Sequence, residues 1–353
     1  SLFSVIRLYN IFIIIIAQYF TSIFIISIDN SISSILFDFQ LFLLILSSSI
    51  AIASGYIINN FYDYEKDLIN KPVKSKIDKV VRKRTKLSLY IILNFLCIYT
   101  SSLVSWKSVL FFSIYIFMIW FYSHKLKRIL FVGNIVSSLL SVIPFLIILI
   151  YYKNFELIIF MYAIFLFLVV YMREIIKDLE NIKGDFTLNY RTIPVVYGEQ
   201  LSKYLLMVIS FIVVIIVCFL LTYFDTGMMY YYYYLSIVIL LLFTIILRKY
   251  NSKKYYNLLH NLLKFLIVLG VLSIVLIDFD LFLEFEKNKL TKIKDSTYLL
   301  CTGLFEEQEE DLKYYKELFN EHTNKKMICT NPDLIVDRGK KRELCAGSVA
   351  LIF

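Results

Sequence analysis

The chain has 353 residues, of which 59% are hydrophobic, and its mean hydropathy is +0.72. Soluble domains are about 45–50% apolar, so this composition excludes a soluble protein and indicates an integral membrane protein. The net charge of +9 is concentrated in a few loops, which favours membrane topology and phosphate binding over nucleic acid as its explanation. Because the chain begins at Ser1 and not at Met, we expect it to be incomplete at that end.

The apolar residues form long runs. A membrane-spanning helix needs about 20 apolar residues, and nine runs meet that need. They lie at residues 8–28, 37–60, 87–105, 107–123, 129–152, 155–176, 201–224, 229–248 and 261–284. Short connections between several of them predict antiparallel neighbours. The expected fold is therefore an all-α integral membrane protein with a nine-helix bundle over residues 1–284.

Lysine and arginine are concentrated in the loops that follow the second, fourth, sixth and eighth runs. The first of these loops, residues 61–86, holds nine of them. By the positive-inside rule these loops face the cytoplasm. We therefore expect a multi-pass protein of the cell inner membrane, in contact with membrane lipids, with its amino terminus in the cytoplasm and residues beyond the ninth span outside.

Two segments rich in side-chain oxygen atoms follow the second and sixth runs. The first segment carries three such residues at intervals of four: Asn59, Asp63 and Asp67. The second carries four at intervals of three and four: Glu174, Asp178, Asn181 and Asp185. Residues three and four apart share one helix face, so each segment is predicted to present a line of oxygen ligands. One such pair would indicate only a solvated helix end, but two lines on one side of the membrane indicate a joint site.

Oxygen ligands of this kind suit a hard divalent cation. Mg²⁺ is commonly shared between protein carboxylates and substrate phosphates, and Mn²⁺ accepts similar ligands. Basic residues must take up the remaining phosphate charge, and Arg82, Lys83, Lys125 and Arg191 follow the two segments or lie in the next basic loop. Each of these four could equally be an orientation charge or a lipid contact.

At this point a resemblance to a known family becomes clear. Asn59-x-x-x-Asp63-x-x-x-Asp67, followed by Asn70-Lys71-Pro72, resembles the first motif of the UbiA-type intramembrane prenyltransferases. Residues 173–185 and 190–198 are similar to their second motif, and residues 122–128 to their Tyr-Ser-x-x-Leu-Lys loop. The resemblance covers about residues 1–284. The second motif is most similar to the branch that makes digeranylgeranylglyceryl phosphate, in which an Asp commonly stands where this chain has Asn181.

The resemblance implies residue roles. The implied catalytic residues are Asp63, Asp67, Asp178, Asp185, Arg82 and Lys125. The implied substrate-binding residues are Asn59, Lys83, Lys177, Arg191 and Tyr122. The implied metal ligands are Asn59, Asp63, Asp67, Glu174, Asp178, Asn181 and Asp185. The implied cofactor is Mg²⁺, with Mn²⁺ as a substitute.

The resemblance also implies a reaction. A prenyl group, such as geranylgeranyl, would pass from a prenyl diphosphate to a lipophilic acceptor, most simply a geranylgeranylglyceryl phosphate-type ether-lipid precursor. An aromatic quinone or haem precursor is the alternative acceptor. A membrane transporter is the alternative outside the enzyme class, although transporter charges usually lie near the bilayer midplane and these acids lie at span ends.

The composition changes near Phe285, after which the chain is charged and mixed. We predict strands at residues 297–301 and 327–330 and an amphipathic helix at residues 306–322. Residues 300–305, 329–333 and 337–347 resemble a haloacid dehalogenase-type phosphatase, but its nucleophilic Asp-x-Asp motif is absent upstream. We therefore expect residues 285–353 to be a small, incomplete α/β segment without a function of its own.

Overall fold

The computed structural model describes residues 6–26, 32–70, 81–277, 293–296, 298–304, 312–320, 325–338 and 341–353. The chain forms two compact units, Ser1–Phe279 and Asp280–Phe353. The described part of the first unit is helical, and that of the second unit combines short helices with strands.

The helices of the first unit follow one another with short connections. In chain order they are α1 (Leu8–Thr21, continued by the π-helical turn Ser22–Ile26), α2 (Ile32–Leu36), α3 (Phe39–Tyr62), α4 (Tyr64–Asn70), α5 (Lys83–Ser102), α6 (Trp106–His124), α7 (Val132–Tyr152), α8 (Leu157–Glu180), α9 (Ile182–Thr187), α10 (Ile193–Tyr223), α11 (Tyr230–Lys249) and α12 (Lys253–Ser273). The prediction of an all-α bundle is confirmed.

Eight helical segments of the described residues are long and apolar enough to cross a membrane. The ninth long helix, α5, is not among them, because Lys83, Arg84 and Lys86 occupy its first turn and lower its apolar content. The described parts of the nine predicted runs thus all fall on long helices, and length and composition support eight of them as spans. Residues 27, 28 and 278–284 of these runs lie outside the described ranges.

Two helices begin eight residues earlier than the sequence predicts. The first is α10, which begins at Ile193 instead of residue 201, because Pro194 suits the first turn of a helix and Gly198, with φ +82°, kinks the chain before the long apolar part. The second is α12, which begins at Lys253 instead of residue 261. Its first two turns are too polar to be recognised as a membrane span.

Two central helices, α3 and α8, organise the bundle. Helix α3 packs against α5, α6 and α1, and α8 packs against α7, α10 and α12. Small residues let α3 approach its neighbours closely: a Cβ on Gly55 would lie 2.9 Å from Ile119 Cγ2 of α6. Asp38 begins α3 by accepting hydrogen bonds from the backbone N–H groups of Gln40 and Leu41. We call the end of the bundle at which α3 and α8 both finish the motif end.

Both oxygen-rich segments contain a helix break that the sequence analysis did not predict. Helix α3 ends at Tyr62, and α4 follows directly after Asp63. Likewise α8 ends at Glu180, and α9 follows after Asn181, whose φ of −111° and ψ of 15° are not helical. Each line of ligands is therefore divided between a long central helix and a short one, not carried on a single continuous helix.

The second unit contains two small strand pairs in its described residues. Its elements are β1 (Tyr298–Cys301), α13 (Leu312–Asn320), β2 (Lys326–Cys329), β3 (Ile335–Arg338), β4 (Lys341–Leu344) and α14 (Ala346–Ala350). Strands β1 and β2 are parallel, with Cys301 opposite Cys329, and β3 and β4 form an antiparallel hairpin. The first two strands and α13 agree with the sequence-based expectation, although residues 297, 306–311, 321 and 322 lie outside the described ranges. The hairpin was not predicted.

Candidate active site

A polar cavity lies at the motif end, between the ends of α3 and α8. Its lining residues are Arg7, Tyr56, Asn59, Asn60, Asp63, Lys66, Asp67, Tyr122, Lys127, Gly133, Asn134, Glu174, Lys177, Asp178, Asn181 and Tyr190. All three ligands predicted in the first segment line this polar cavity, and so do three of the four predicted in the second. The two segments, more than 100 residues apart in the chain, therefore face one space.

Lys127 connects two residues of the first segment. Its Nζ lies 2.5 Å from Asp63 Oδ1 and 3.3 Å from Asn59 Oδ1, and only 6% of its side chain is exposed. Burial alone would raise the pKa of Asp63, but the positive charges of Lys127 and Lys66 outweigh burial and hold that pKa below its usual value. Asp63 is therefore a carboxylate at neutral pH.

Lys66 connects the two segments. It forms an ion pair with the fully buried Asp185, and its Nζ lies 4.8 Å from the centre of the Tyr190 ring. Burial would lower the pKa of Lys66, but the carboxylates of Asp185 and Asp178 reverse that effect and raise it. Lys66 is therefore a stable ammonium group. Asp185 does not itself line the polar cavity but acts on it through Lys66.

The second segment is held by its own hydrogen bonds. Asn134 Nδ2 donates to Asp178 Oδ2 at 2.7 Å, which orients this carboxylate from α7. Lys177 Nζ donates to Glu174 Oε2 at 2.9 Å, and Asn181 Nδ2 donates to the Lys177 carbonyl oxygen at 2.6 Å. The carboxylates at positions 174 and 178 therefore enter the polar cavity in defined positions.

Two predicted phosphate-binding residues lie outside the polar cavity. Lys125 is exposed where α6 ends, and the 3-10 turn Leu126–Arg128 then redirects the chain so that Lys127 enters the cavity in its place. Arg191 is also exposed, and its backbone N–H donates to the Arg128 carbonyl oxygen at 3.2 Å. Of these two lysines, Lys127 lines the polar cavity and Lys125 does not.

The other two predicted phosphate-binding residues line a different space. Arg82 and Lys83 line a second cavity at the start of α5, which we call the basic cavity. Among the residues that the structure describes, its lining consists of Phe61, Tyr64, Val81, Arg82, Lys83 and Lys86. These basic side chains are therefore neighbours of the polar cavity and not part of its lining.

Eight lining residues were not predicted as site residues: Arg7, Tyr56, Asn60, Lys66, Lys127, Gly133, Asn134 and Tyr190. Lys66 could have been found, because it follows Asn59 by seven residues and Asp63 by three and so shares their helical stripe. Asn134 had a weaker signal, as a polar residue at the start of an apolar run. Lys127 depends on the turn after α6, and Tyr190 on the return of the chain from α9, so spacing alone could not have indicated either one.

A close contact joins α4 to α9. The Gly184 backbone N–H donates to Asn70 Oδ1 at 3.1 Å, and a Cβ on Gly184 would lie only 2.3 Å from Asn70 Nδ2. Lys253 Nζ of α12 donates to the Asn70 carbonyl oxygen at 3.2 Å. Only a glycine at position 184 permits this approach, and the short helices of the two segments are fixed to each other.

An apolar cavity lies deeper in the bundle. It is lined mainly by aliphatic and aromatic side chains of α1, α7, α8, α11 and α12, including Phe165, Tyr232 and Tyr233. Along α8, Val169 is the last residue lining the apolar cavity and Glu174 the first lining the polar one. At 1.5 Å per residue, these positions are only about 7 Å apart along the helix axis. The polar and apolar cavities are therefore consecutive along one helix.

A comparison with known families agrees with this arrangement. A family model described as the UbiA prenyltransferase family matches residues 20–265. The chain belongs to the UbiA prenyltransferase family. With its eight apolar helices, this UbiA-family chain is an integral, multi-pass membrane protein.

Curated relatives refine the comparison. A digeranylgeranylglyceryl phosphate synthase from Methanosphaera stadtmanae is 29% identical over 174 residues, which cover 49% of this chain and 64% of that one. The synthase from Thermococcus gammatolerans is 31% identical over 170 residues, covering 47% of this chain and 59% of the relative. The UbiA-family chain thus matches less than two thirds of the length of these relatives.

Solved structures share the fold. A structure of digeranylgeranylglyceryl phosphate synthase in membranes has a TM-score of 0.58 at 21% identity, covering 78% of this chain and 97% of that one. A UbiA homolog from Archaeoglobus fulgidus, bound to GPP and Mg²⁺, has a TM-score of 0.61 at 17% identity, covering 78% of this chain and 98% of the homolog. At these identities the likeness shows the UbiA fold alone.

The polar cavity fits a divalent cation that is shared with a substrate. In the described ranges, no three His, Cys, Asp or Glu side chains gather closely enough to hold a metal without further ligands. Asn181 Oδ1 is buried and accepts no hydrogen bond from any residue that the structure describes. A buried, unpaired oxygen beside Asp178 in an all-oxygen ligand set suits Mg²⁺ that completes its coordination with phosphate oxygens.

Proposed function

We propose that this UbiA-family protein transfers a prenyl group from an allylic prenyl diphosphate to a glycerophosphate-type lipid acceptor. The observation that carries the proposal is the meeting of both oxygen-rich segments in one polar cavity that is followed, along α8, by an apolar cavity. A diphosphate headgroup fits the first space and a hydrocarbon tail fits the second. The curated relatives named digeranylgeranylglyceryl phosphate synthase support this class of acceptor.

The protein supplies acidic residues for the metal ion and basic residues for the diphosphate. Asp63, Asp67, Glu174, Asp178 and Asn181 would hold Mg²⁺, which neutralises the departing diphosphate when bound. The ammonium groups of Lys66, Lys127 and Lys177 and the guanidinium of Arg7 line the same cavity and take the remaining negative charge. Fixed charges aimed at a departing group are the main electrostatic contribution to such a reaction.

The bond changes are simple. The C–O bond between the first prenyl carbon and the diphosphate breaks, and the diphosphate leaves with the electron pair. The acceptor hydroxyl oxygen forms the new C–O bond and loses its proton to the departing diphosphate. The rings of Tyr56 and Tyr122 line the polar cavity, where their faces can stabilise the allylic cation. The apolar cavity keeps the prenyl chain of the substrate away from water.

The chemical class of the acceptor distinguishes this proposal from its alternative, the prenylation of an aromatic precursor. We expect membranes containing the protein to transfer a labelled geranylgeranyl group to geranylgeranylglyceryl phosphate, and not to aromatic quinone or haem precursors. Membranes with the Asp178→Ala variant are the control for background transfer. Transfer to the aromatic acceptor alone would show that the acceptor is an aromatic precursor and not a glycerophosphate-type lipid. Membership of a prenyltransferase family already disfavours the transporter alternative.

The reaction should depend strictly on a divalent cation. The oxygen-only ligand set and the unpaired Asn181 Oδ1 motivate this expectation. Excess EDTA should abolish transfer, and added Mg²⁺ should restore it, with Mn²⁺ as a substitute. Turnover that continues unchanged in excess EDTA would refute the metal-dependent mechanism.

We propose further that the motif end faces the cytoplasm of the cell inner membrane and that residues 285–353 take no part in the reaction. The distribution of basic loops supports the orientation, and the resemblance of about residues 295–353 to part of a phosphatase supports the separation. A chain ending after Glu284 should show the same prenyl transfer per inserted molecule as the full chain. Normal insertion with a large loss of transfer would give the last 69 residues a functional role.

A further inference from the structure

The Lys66 ammonium group lies among carboxylates of both oxygen-rich segments. It forms an ion pair with Asp185, and the negative charges of Asp178 and Asp63 attract it as well. Asp63 belongs to the first segment, whereas Asp178 and Asp185 belong to the second. A metal ion that joined the two segments would be attracted by these same three carboxylates. The protein therefore already supplies a positive charge of its own between the segments.

The surroundings of Lys66 suit an ammonium group better than a metal ion. Lys66 Nζ lies 4.8 Å from the centre of the Tyr190 ring, and a ring face attracts an ammonium group, whereas Mg²⁺ requires oxygen ligands. The Tyr190 backbone N–H donates to the Asp185 carbonyl oxygen at 2.8 Å, and both residues are buried. The ring and the carboxylate are thus held together beside the ammonium group.

Asp185 is separated from the polar cavity by its partner. Its side chain is fully buried and does not line this cavity, whereas that of Lys66 does. A metal ion that entered the cavity could bind Asp185 only by displacing the ammonium group from this buried pair. If the ammonium group stayed in place, the two positive charges would repel each other at short range. In the folded protein the Asp185 carboxylate is therefore occupied by Lys66.

The other oxygen atoms of the second segment suit a single ion. Glu174 accepts a hydrogen bond from Lys177 at 2.9 Å, so it too has a cation partner. Asp178 lines the polar cavity, and the buried Asn181 Oδ1 accepts no hydrogen bond from the residues that the structure describes. Mg²⁺ is usually bound through one or two carboxylates together with substrate phosphates. Asp178 and Asn181, with Asp67 of the first segment and the diphosphate, are enough for one such ion.

We propose that the Lys66 ammonium group takes the place of a second divalent cation, so that the polar cavity binds the prenyl diphosphate with one Mg²⁺ and not two. Many phosphoryl-transfer enzymes use two metal ions as a clamp on the reacting oxygens. Here the second positive charge is fixed to α4, and Lys66 is a positioning residue that holds the two segments together. Because the diphosphate must lie in this cavity, the proposal rests on the proposed function.

The number of bound metal ions tests the role of Lys66. The full-length protein in detergent micelles is titrated with Mn²⁺ together with geranylgeranyl thiolodiphosphate, an unreactive analogue in which sulfur replaces the oxygen of the bond that breaks. Two Mn²⁺ ions about 4 Å apart, as in two-metal sites, couple magnetically and change the EPR spectrum. The wild type should bind about one Mn²⁺ per chain, with the spectrum of an uncoupled ion. Lys66→Gln, which frees the Asp185 carboxylate, should bind about two and give a coupled spectrum.

Two further variants are the controls. Lys183→Gln removes the same charge from an exposed position of α9 and should bind as many ions as the wild type. The double variant Lys66→Gln/Asp185→Asn leaves neither buried charge without its partner and should return to a single ion.

The possible outcomes are distinct. Two coupled ions in the wild type, or a single ion in folded Lys66→Gln protein, would overturn the proposal. The wild-type count needs no substitution, so it decides even if Lys66→Gln fails to insert. A wild type that binds no Mn²⁺, with or without the analogue, would instead refute the metal-dependent reaction of the proposed function.

Discussion

Asp63→Ala and Asp178→Ala are each expected to lower kcat for prenyl transfer by about a thousand-fold, the upper range for losing one group that stabilises a departing charge. Both carboxylates line the polar cavity, one from each oxygen-rich segment. Each is already oriented, Asp63 by Lys127 and Asp178 by Asn134. Removing either would leave the cation with too few protein ligands. It would also leave Lys127 with Asn59 as its remaining acceptor, or take away the acceptor of Asn134. The measurement is single-turnover transfer of a labelled prenyl group.

Glu65→Ala is the matched control for Asp63→Ala. Glu65 lies on α4 between Asp63 and Asp67, but it is exposed and does not line the polar cavity. Glu65→Ala removes the same charge from the same turn. Its rate of prenyl transfer should stay within about two-fold of the wild-type rate, because substitutions at exposed positions usually have small effects. Comparable losses in both variants would mean that the local charge matters and not the position of the carboxylate. Full activity in Asp63→Ala with normal insertion would remove Asp63 from the site.

Lys127→Ala is expected to lower kcat about a hundred-fold, whereas Lys125→Ala should have almost no effect. The two lysines are two residues apart, yet Lys125 is exposed and only 6% of the Lys127 side chain is. Lys127 Nζ contacts Asp63 and Asn59, and the same ammonium group can take charge from the diphosphate. Transfer kinetics are measured for both variants at saturating Mg²⁺.

The comparison of these two lysines has clear alternative outcomes. Lys127→Arg should recover part of the activity, because the positive charge returns with different geometry. A variant that only lost stability would not be rescued in this way. A larger loss for Lys125→Ala than for Lys127→Ala would show that the turn Leu126–Arg128 adopts another arrangement during the reaction.

The bundle was largely predictable from the sequence because its signals are local. Each long helix corresponds to an apolar run whose length is set by the bilayer. The errors occurred where apolar content is a poor guide, as at the polar first turns of α12 and at the charged start of α5. The breaks at Asp63 and Asn181 were also missed, because neither proline nor glycine marks them.

The candidate site was predictable only in part because its contacts are not local. Helical spacing placed Asn59, Asp63 and Asp67 on one face, and the structure brings them to the polar cavity. Spacing could not choose between Lys125 and Lys127, since a single 3-10 turn decides which of them enters. It also could not show that the basic residues after α4 belong to a second cavity, which depends on how α5 packs against α3.

The contact between Asn70 and Gly184 has a consequence for substrate binding. If the two oxygen-rich segments were independent, each binding event would have to order both of them, and the lost conformational freedom would weaken affinity. Here the Gly184 N–H and the Asn70 side chain join the two short helices, and Lys253 of α12 donates to the Asn70 carbonyl oxygen. The site is therefore preorganised. The two segments are already aligned in the folded protein, so less conformational entropy is lost when a diphosphate binds to both.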